Sequence, residues 1–300
     1  MKYPSVYLIV LNWNAAKLLE ETLLSLKQVT YPNLKIIVVD NGSIDESVKM
    51  VKKKFSELHL ICNKENLGFG EGNNVGISYA LEQNADYILL LNNDVEVDPE
   101  FVTELVNVAE SSAEVGMVAP KIYFFEPKNK IWYAGATVNF FTGVCAHIGL
   151  REFENGQYEE VKETDYICGC SMLVKAEVLR KIGMFDPIYS PAYAEDVDLS
   201  QRAKISGYKL LYSPKAKVWH KVSSSSGGDI NPTKTALRIK HNFIFFKKFA
   251  KPYHWLTIIP YIGFATLFFL LKQILSGNFG IFASVFKGFF NVLKSLFGKK

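Results

Sequence analysis

The hydrophobic pattern of the first hundred residues alternates between two kinds of segment. Near-continuous apolar runs occupy 5–11 (SVYLIVL), 34–39 (LKIIVV), 58–62 (LHLIC) and 87–91 (YILLL), and segments near 16–27, 44–55 and 71–83 between them have helical spacing. Apolar runs without polar alternation suit strands covered on both faces, and intervening helices suit the crossovers of a parallel sheet. The pattern therefore predicts an α/β fold with a mostly parallel sheet flanked by helices. In such sheets ligands bind outside the carboxyl ends of the strands. Each run here ends on polar residues: Asn12 and Asn14 after the first, Asp40, Asn41 and Gly42 after the second, Asn63 after the third, and Asn92, Asn93 and Asp94 after the fourth. One such end would be a turn; four on one rim point to a site.

The remainder is less regular. Short strand-like runs lie near 117–124, 131–140 and 166–174, and two helical stretches within 176–205 are separated by GMFDPIYSPAYAED. A strand, YKLLYSPKAKVWH, follows, and then KVSSSSGGD (221–229), which has no apolar anchor and reads as a mobile loop or linker. The chain accordingly divides into a body, 1–229, and a tail, 230–300. Within the tail, 252–271 is a run of twenty uncharged residues, long enough for a bilayer crossing but interrupted by Pro252, His254, Pro260 and Gly263. From 279 onward Ser284, Lys287, Asn291 and Lys294 share one helical face, and Phe282, Phe286, Phe289, Leu293 and Leu296 share the other, as in a helix lying in a membrane interface.

Charge sharpens the division. The net charge of +4 conceals a body with 23 basic and 30 acidic residues, net −7, and a tail with eleven Lys or Arg and no acid after Asp229. A basic, Phe-rich tail predicts contact with an anionic membrane surface rather than with nucleic acid. Six of its basic residues precede 252–271 and five follow it, so a single crossing would oppose the positive-inside tendency. The expectation is a peripheral or re-entrant tail at the cytoplasmic face of a membrane; core helices folded onto the body are the alternative. The opening MKYPSVYLIVLNWN has no long apolar region or cleavage signal of a secretory leader. Cys62, Cys145, Cys168 and Cys170 lack zinc-site spacing and read as free, mostly buried thiols. Nothing in the sequence specifies an oligomeric state.

Several segments could carry chemistry. Asp94 ends an apolar strand, where a carboxylate can hold Mg²⁺ or Mn²⁺ while substrate phosphates fill other positions; Glu96 lies two residues on. Glu195, Asp196 and Asp198 crowd three acids into the start of a helix, more than a macrodipole or cap requires. Neighbouring acids raise one another's pKa, which suits one of them to accept a hydroxyl proton. His220 ends the last strand and is either a satisfied polar residue or a metal ligand. Gly68, Gly70 and Gly72 mark a strand-to-helix turn where backbone can approach a ligand, without the spacing of a P-loop or a dinucleotide fingerprint.

Taken in order, VLNWN, VVDNGSID, NLGFGEGNNVGI, LLLNNDVEVD, GCSMLVKAEVLRKIGMFD, AEDVDLSQRAKISGYKL and VWH resemble a family 2 glycosyltransferase of the bacterial rhamnosyltransferase-like branch, over about residues 4–222. The resemblance implies a GT-A (Rossmann-like) fold and inverting transfer from a nucleotide-diphosphate sugar, UDP- or dTDP-linked, to a hydroxyl of a surface-glycan or lipid-linked acceptor. It implies that Asp94 and His220 hold a divalent metal, Mn²⁺ or Mg²⁺, and that Asp196 is the base, with Glu195 or Asp198 orienting the acceptor. It further implies that Asp40 meets the pyrimidine base and that Asn12, Asn14, Asn41, Gly68, Asn73 and Asn93 line the nucleotide pocket.

Two other readings share parts of this pattern. A sugar nucleotidyltransferase would carry a glycine-rich basic loop after the first strand, where this chain has LNWNAAKLLEE with one Lys and no Gly. A catalytically inactive relative could bind a glycan or tether partners at a membrane, but the presence of Asp94, Asp196 and His220 weighs against it.

Overall fold

The computed structural model describes residues 3–221, 232–275 and 285–292. Alternating elements build the first half: β1 (Val6–Asn12), α1 (Ala16–Leu26), β2 (Leu34–Asp40), α2 (Ser47–Lys54), β3 (His59–Cys62), α3 (Phe69–Glu82) and β4 (Tyr87–Asn92). After a break at Asn93 and Asp94 come β5 (Val95–Val97), α4 (Phe101–Ala109), β6 (Val115–Phe124), β7 (Ile131–Tyr133) and the hairpin of β8 (Ala136–Asn139) and β9 (Val144–His147). The body closes with β10 (Lys162–Glu163), β11 (Ser171–Lys175), α5 (Ala176–Ile182), α6 (Glu195–Ile205) and β12 (Lys209–His220). Two helices follow, α7 (Pro232–Phe249) and α8 (Trp255–Leu275), and residues 285–292 are helical.

The main sheet runs β10-β12-β6-β11-β4-β1-β2-β3. Parallel pairings join β3, β2, β1 and β4, and β6 is parallel to β12. Strand β11 sits between β4 and β6 antiparallel to both, so β1, β2, β3, β4, β6 and β12 share one direction and β11 is inserted among them in reverse. The register pairs Asn12 with Asp40 and Leu11 with Asn92, which brings the polar ends predicted from the sequence to one rim. Strands β1 and β4 are buried almost throughout, because α1, α3 and α4 cover the faces of the sheet.

Strand β4 ends at Asn92 because its direction is taken over by a different pairing. The chain turns and returns as β5, which pairs antiparallel with the end of β12 and sets Val95 opposite His220. Thr22 on α1 fixes this short strand from the other side: its hydroxyl donates to the Val95 carbonyl at 2.9 Å and accepts from the Val95 amide at 3.1 Å.

The tail divides differently from the expected boundary. Helix α7 is part of the body's core: Phe245 and Phe246 are buried and meet the ring of Phe140 in the β8–β9 connection, tilted and edge-on respectively, and Asn242 donates to the Gly143 carbonyl at 3.0 Å. These phenylalanines, counted in the sequence among membrane-facing residues, face protein. Helix α8 is another matter. Pro252–Leu275 is long and apolar enough to cross a membrane, and only 11% of its most apolar stretch is buried. Leu256, Ile259, Phe264, Leu267, Phe268 and Leu271 are exposed along it. The predicted linker lies, after Lys221, outside the described residues, as do both ends of the predicted amphipathic segment. Cys168 and Cys170 are buried and all four cysteines are free, but Cys62 is exposed at the outer strand β3.

This division predicts which truncation the fold tolerates. A chain ending after residue 251 is expected to unfold cooperatively near the temperature of the full chain. One ending after residue 229 loses two buried phenylalanines and is expected to melt well below it. Phe246→Ala alone should cost about 3–5 kcal/mol in denaturant titrations.

Candidate active site

The rim begins with amides that tie three strand ends together. Asn93 donates to the Asn12 side-chain oxygen at 2.7 Å, and Asn12 in turn reaches Asp40 Oδ1 at 3.4 Å. Asp40 Oδ2 accepts from the Ser43 amide at 2.9 Å, which closes a turn after β2. Asn14, in the left-handed region at φ 48°, accepts from the Ile44 amide at 2.8 Å. Asn41 is buried against the glycine-rich turn; it donates to Asn66 at 2.9 Å and to the Gly68 carbonyl at 3.1 Å, and accepts from Asn63 and the Leu67 amide. The amides after β1, β2 and β4 therefore form one linked bed. Asn73, further along α3, is buried and donates to the Phe69 carbonyl at 2.9 Å.

Next to this bed, the pairing of β5 with β12 brings Asp94 and His220 together. Both are buried, and His220 Nε2 stands 3.1 Å from Asp94 Oδ1. Despite that distance the Asp94 oxygen has no aligned hydrogen-bond donor. A buried carboxylate oxygen and an imidazole nitrogen that converge without satisfying each other fit a shared hard cation. Asn92 approaches His220 Nε2 at 3.4 Å. No cluster of three or more His, Cys, Asp or Glu side chains with metal-binding geometry occurs among the described residues. Two donors suit Mg²⁺ or Mn²⁺ completed by substrate phosphates better than a closed structural site. Glu96 plays no part; it is partly exposed and pairs with Lys128 at 2.6 Å.

The acids of α6 are sorted by their partners. Asp196 Oδ2 accepts from the Gly169 amide at 2.9 Å and Oδ1 from the Val197 amide at 2.9 Å. Glu195 is buried and its Oε2 has no partner. Burial raises both carboxyls above their ordinary range, Glu195 further, because the adjacent Asp196 charge adds to its desolvation. Asp198 cannot orient an acceptor. It is wholly buried, and its oxygens are taken by Tyr189 at 3.1 Å, Lys248 at 2.7 Å and Arg202 at 2.7 Å.

The backbone before these acids is held under strain. Tyr193 and Ala194 are non-glycine residues at φ 83° and 70°, and Ala194 is the N-cap of α6. Gly68 explains part of how they are held. At φ +84° it lies so close to the loop that a Cβ would stand 2.7 Å from the Pro191 carbonyl, which also accepts from the Phe69 amide at 2.7 Å. Glycine is required there by close approach of protein backbone to protein backbone.

Asp196 forms part of the wall of a cavity of about 650 Å³, together with Cys145, His147, Tyr166, Tyr193 and Arg238. One ring separates this hollow from the Asp94–His220 pair: the Trp132 indole stands edge-on to His147 at 4.6 Å and to His220 at 4.9 Å. The segment before β11 links the two as well, since Gly169 binds Asp196 and the Cys170 carbonyl accepts from the Asn92 amide at 2.9 Å. Sequence reasoning gave no role to Trp132, His147 or Gly169; only Gly169 lies in one of the quoted motifs, GCSMLVKAEVLRKIGMFD. His147 donates from Nδ1 to the Trp132 carbonyl at 3.3 Å, so its Nε2 carries the lone pair. Burial pushes its pKa down to about 4, which keeps the ring neutral.

Comparison with known proteins bears on the family and the fold. The sequence profile of Glycosyl transferase family 2 matches residues 7–183. A Sinorhizobium fredii protein, y4gI, is 25% identical over 244 residues, 78% of this chain and 26% of that protein, so the chain spans about a quarter of that relative's length. N-acetylglucosaminyl-diphospho-decaprenol L-rhamnosyltransferase of Mycobacterium tuberculosis is 23% identical over 240 residues, 74% of this chain and 77% of that enzyme. The crystal structure of GalNAc-T7 with UDP, GalNAc and Mn²⁺ shares the GT-A fold, with a TM-score of 0.65 and 15% identity over 82% of this chain and 48% of that one. With the profile covering more than half of its length, the chain belongs to glycosyl transferase family 2 and is, by that membership, a glycosyltransferase.

Proposed function

We propose that the protein transfers a sugar, with inversion, from a UDP- or dTDP-sugar to a hydroxyl of a surface-glycan or lipid-linked acceptor at the cytoplasmic face of a membrane. The observation that carries this reading is the placement of Asp196. It borders a cavity one indole ring away from the Asp94–His220 pair, beside the amide-lined rim. The linked amides of Asn12, Asn14, Asn41 and Asn93, with Asp40, form a bed for the nucleotide. Asp94 and His220 would hold Mn²⁺ or Mg²⁺, which when bound offsets the negative charge that grows on the departing diphosphate.

The base is selected within an acidic pair. Two amide donors favour the charged form of Asp196, and the partnerless Glu195 oxygen favours the protonated form of Glu195. The pair then carries one charge, on Asp196, and that oxygen takes the proton of the acceptor hydroxyl as it attacks the anomeric carbon. A single displacement with one base inverts the configuration and requires no glycosyl–enzyme intermediate. His147, neutral and with Nε2 as an acceptor, adds a hydroxyl-binding group to the same cavity. The membrane contact rests on the exposed apolar face of α8 and on the tail's lack of acidic residues.

Asp196→Asn is expected to lower transfer by about 10²–10⁴ while nucleotide affinity is unchanged; near-normal turnover by the folded variant would remove Asp196 from the base role. Because burial raises the Asp196 pKa, the carboxyl stays protonated to higher pH than an exposed aspartate, whose pKa is about 3.9. The acid limb of kcat/KM should therefore lie above that value, with activity falling as pH drops through it.

Asp94→Ala and His220→Ala should each raise the Mn²⁺ concentration needed for half-maximal UDP binding by about ten-fold or more, measured by calorimetry. The chain ending after residue 251 should leave the membrane fraction of expressing cells; unchanged sedimentation with membranes would place the contact elsewhere.

A further inference from the structure

Helix α7 turns one face toward the loop that carries the acids. Arg238, His241, Phe245 and Lys248 follow one another at intervals of three, four and three residues, so they lie on one side of the helix. Three of the four touch residues within 186–198. The Arg238 guanidinium stands 4.9 Å from the centre of the Tyr193 ring. His241, fully buried, donates from Nδ1 to the Ala192 carbonyl at 2.8 Å and meets the Tyr189 ring edge-on at 5.9 Å. Lys248 reaches Asp198 at 2.7 Å and Asp186 at 3.0 Å. Phe245 is buried and holds this face against the body through Phe140. What the face grips is the least relaxed backbone at the site. Tyr193 and Ala194, at φ 83° and 70°, come immediately before Glu195 and Asp196. A residue with a Cβ persists in that region only where its surroundings hold it there. Rotation at either position would swing the first turn of α6, which carries Asp196. The contact from α3 stops at Pro191, whereas His241 holds the peptide that leads into Tyr193 and Arg238 covers the Tyr193 ring.

We propose that His241 and Lys248 are positioning residues for the transfer reaction: α7 is a splint that fixes the Tyr193–Ala194 step and, through it, the orientation of Asp196. This rests on the reading of Asp196 as the base, and it gives the first helix of the tail a role in turnover separate from membrane contact. Neither side chain is part of the wall of the Asp196 cavity, so both act through the loop and not on the substrate. The effect need not be large in distance, because a misplacement of about 1 Å at a reacting group can cost about 10²-fold in rate. Donor binding, which uses the amide rim and the Asp94–His220 pair, lies outside the reach of the splint. Loss of either contact is therefore expected in kcat and not in the donor KM.

The test uses the full chain in detergent micelles. Turnover is read as Mn²⁺-dependent hydrolysis of the fastest substrate in a panel of UDP- and dTDP-hexoses, per nucleotide-binding site counted by calorimetry. His241→Leu and Lys248→Met should each lower kcat per site by about ten-fold or more, with the donor KM within about two-fold of the parent. His241→Asn, which keeps a donor near the Nδ1 position, and Lys248→Arg should restore most of that loss. Ala194→Gly, which adopts the positive φ without strain, should recover part of the kcat lost in His241→Leu. Hydrogen exchange gives a readout independent of turnover, because the Gly169 amide donates to Asp196 and so records where that carboxylate stands. In His241→Leu its protection should fall by about ten-fold while the amides of β1 and β4 keep theirs. Unchanged kcat per site with unchanged Gly169 protection, protection lost equally across β1 and β4, or no recovery in the Asn and Arg variants would overturn the proposal. The base reading fails separately: near-normal turnover by Asp196→Asn would remove it, while Gly169 protection would still report on the splint.

Discussion

Everything at the site depends on keeping two adjacent carboxylates dry at the start of α6. A buried acid is costly unless its charge is matched by donors or removed by protonation. The fold uses both solutions within four residues. Asp198 receives Arg202, Lys248 and the Tyr189 hydroxyl, and so becomes a structural anchor. Asp196 receives only backbone amides, and Glu195 Oε2 receives nothing. The gradient from fully paired to unpaired along one helical turn separates a structural anchor from a pair with unmatched charge.

That requirement reaches into a helix that the sequence placed in a separate tail. Lys248 of α7 is one of the cations that match Asp198, and the same amine reaches Asp186 at 3.0 Å. About two turns earlier, His241 is fully buried and its Nδ1 donates to the Ala192 carbonyl at 2.8 Å. The strained Tyr193–Ala194 step therefore lies between a contact to α3, through Gly68 and Phe69, and contacts to α7. Strain of this kind persists only where its surroundings over-determine it. The loop before Glu195 and Asp196 is held by α3 on one flank and by α7 on the other.

The sheet was legible because parallel strands leave a periodicity that needs no tertiary information. The four runs through Leu91 correspond to β1 to β4 within a few residues, and their polar ends share a rim. Asp94 and His220 could be matched because each terminates an apolar strand, and their meeting follows from β5 pairing with β12. Helix α7 was not legible as body. Its core face is Phe245 and Phe246 within a basic stretch, and in a linear sequence those residues look the same whether they meet lipid or protein. Gly68 was flagged for the wrong neighbour: its positive φ could be suspected from residue type, but what approaches it is Pro191, more than a hundred residues away. Trp132 and His147 left no signal because a single aromatic residue in an irregular segment has no period to betray it.

Two protein donors make a weak cation site on their own, and this has a consequence for order of binding. A hard divalent ion keeps most of its waters unless several oxygens replace them together. Under the proposed reading, Asp94 and His220 would offer one carboxylate and one imidazole, and the remaining oxygens would come from the donor's diphosphate. Ion and nucleotide affinity would then be thermodynamically linked, each strengthening the other by the same factor. A closed three- or four-ligand site would hold its ion regardless of substrate and release the spent nucleotide more slowly. Under that reading, departure of the nucleotide would weaken the hold on the ion. A sparse ligand set of this kind would be consistent with turnover.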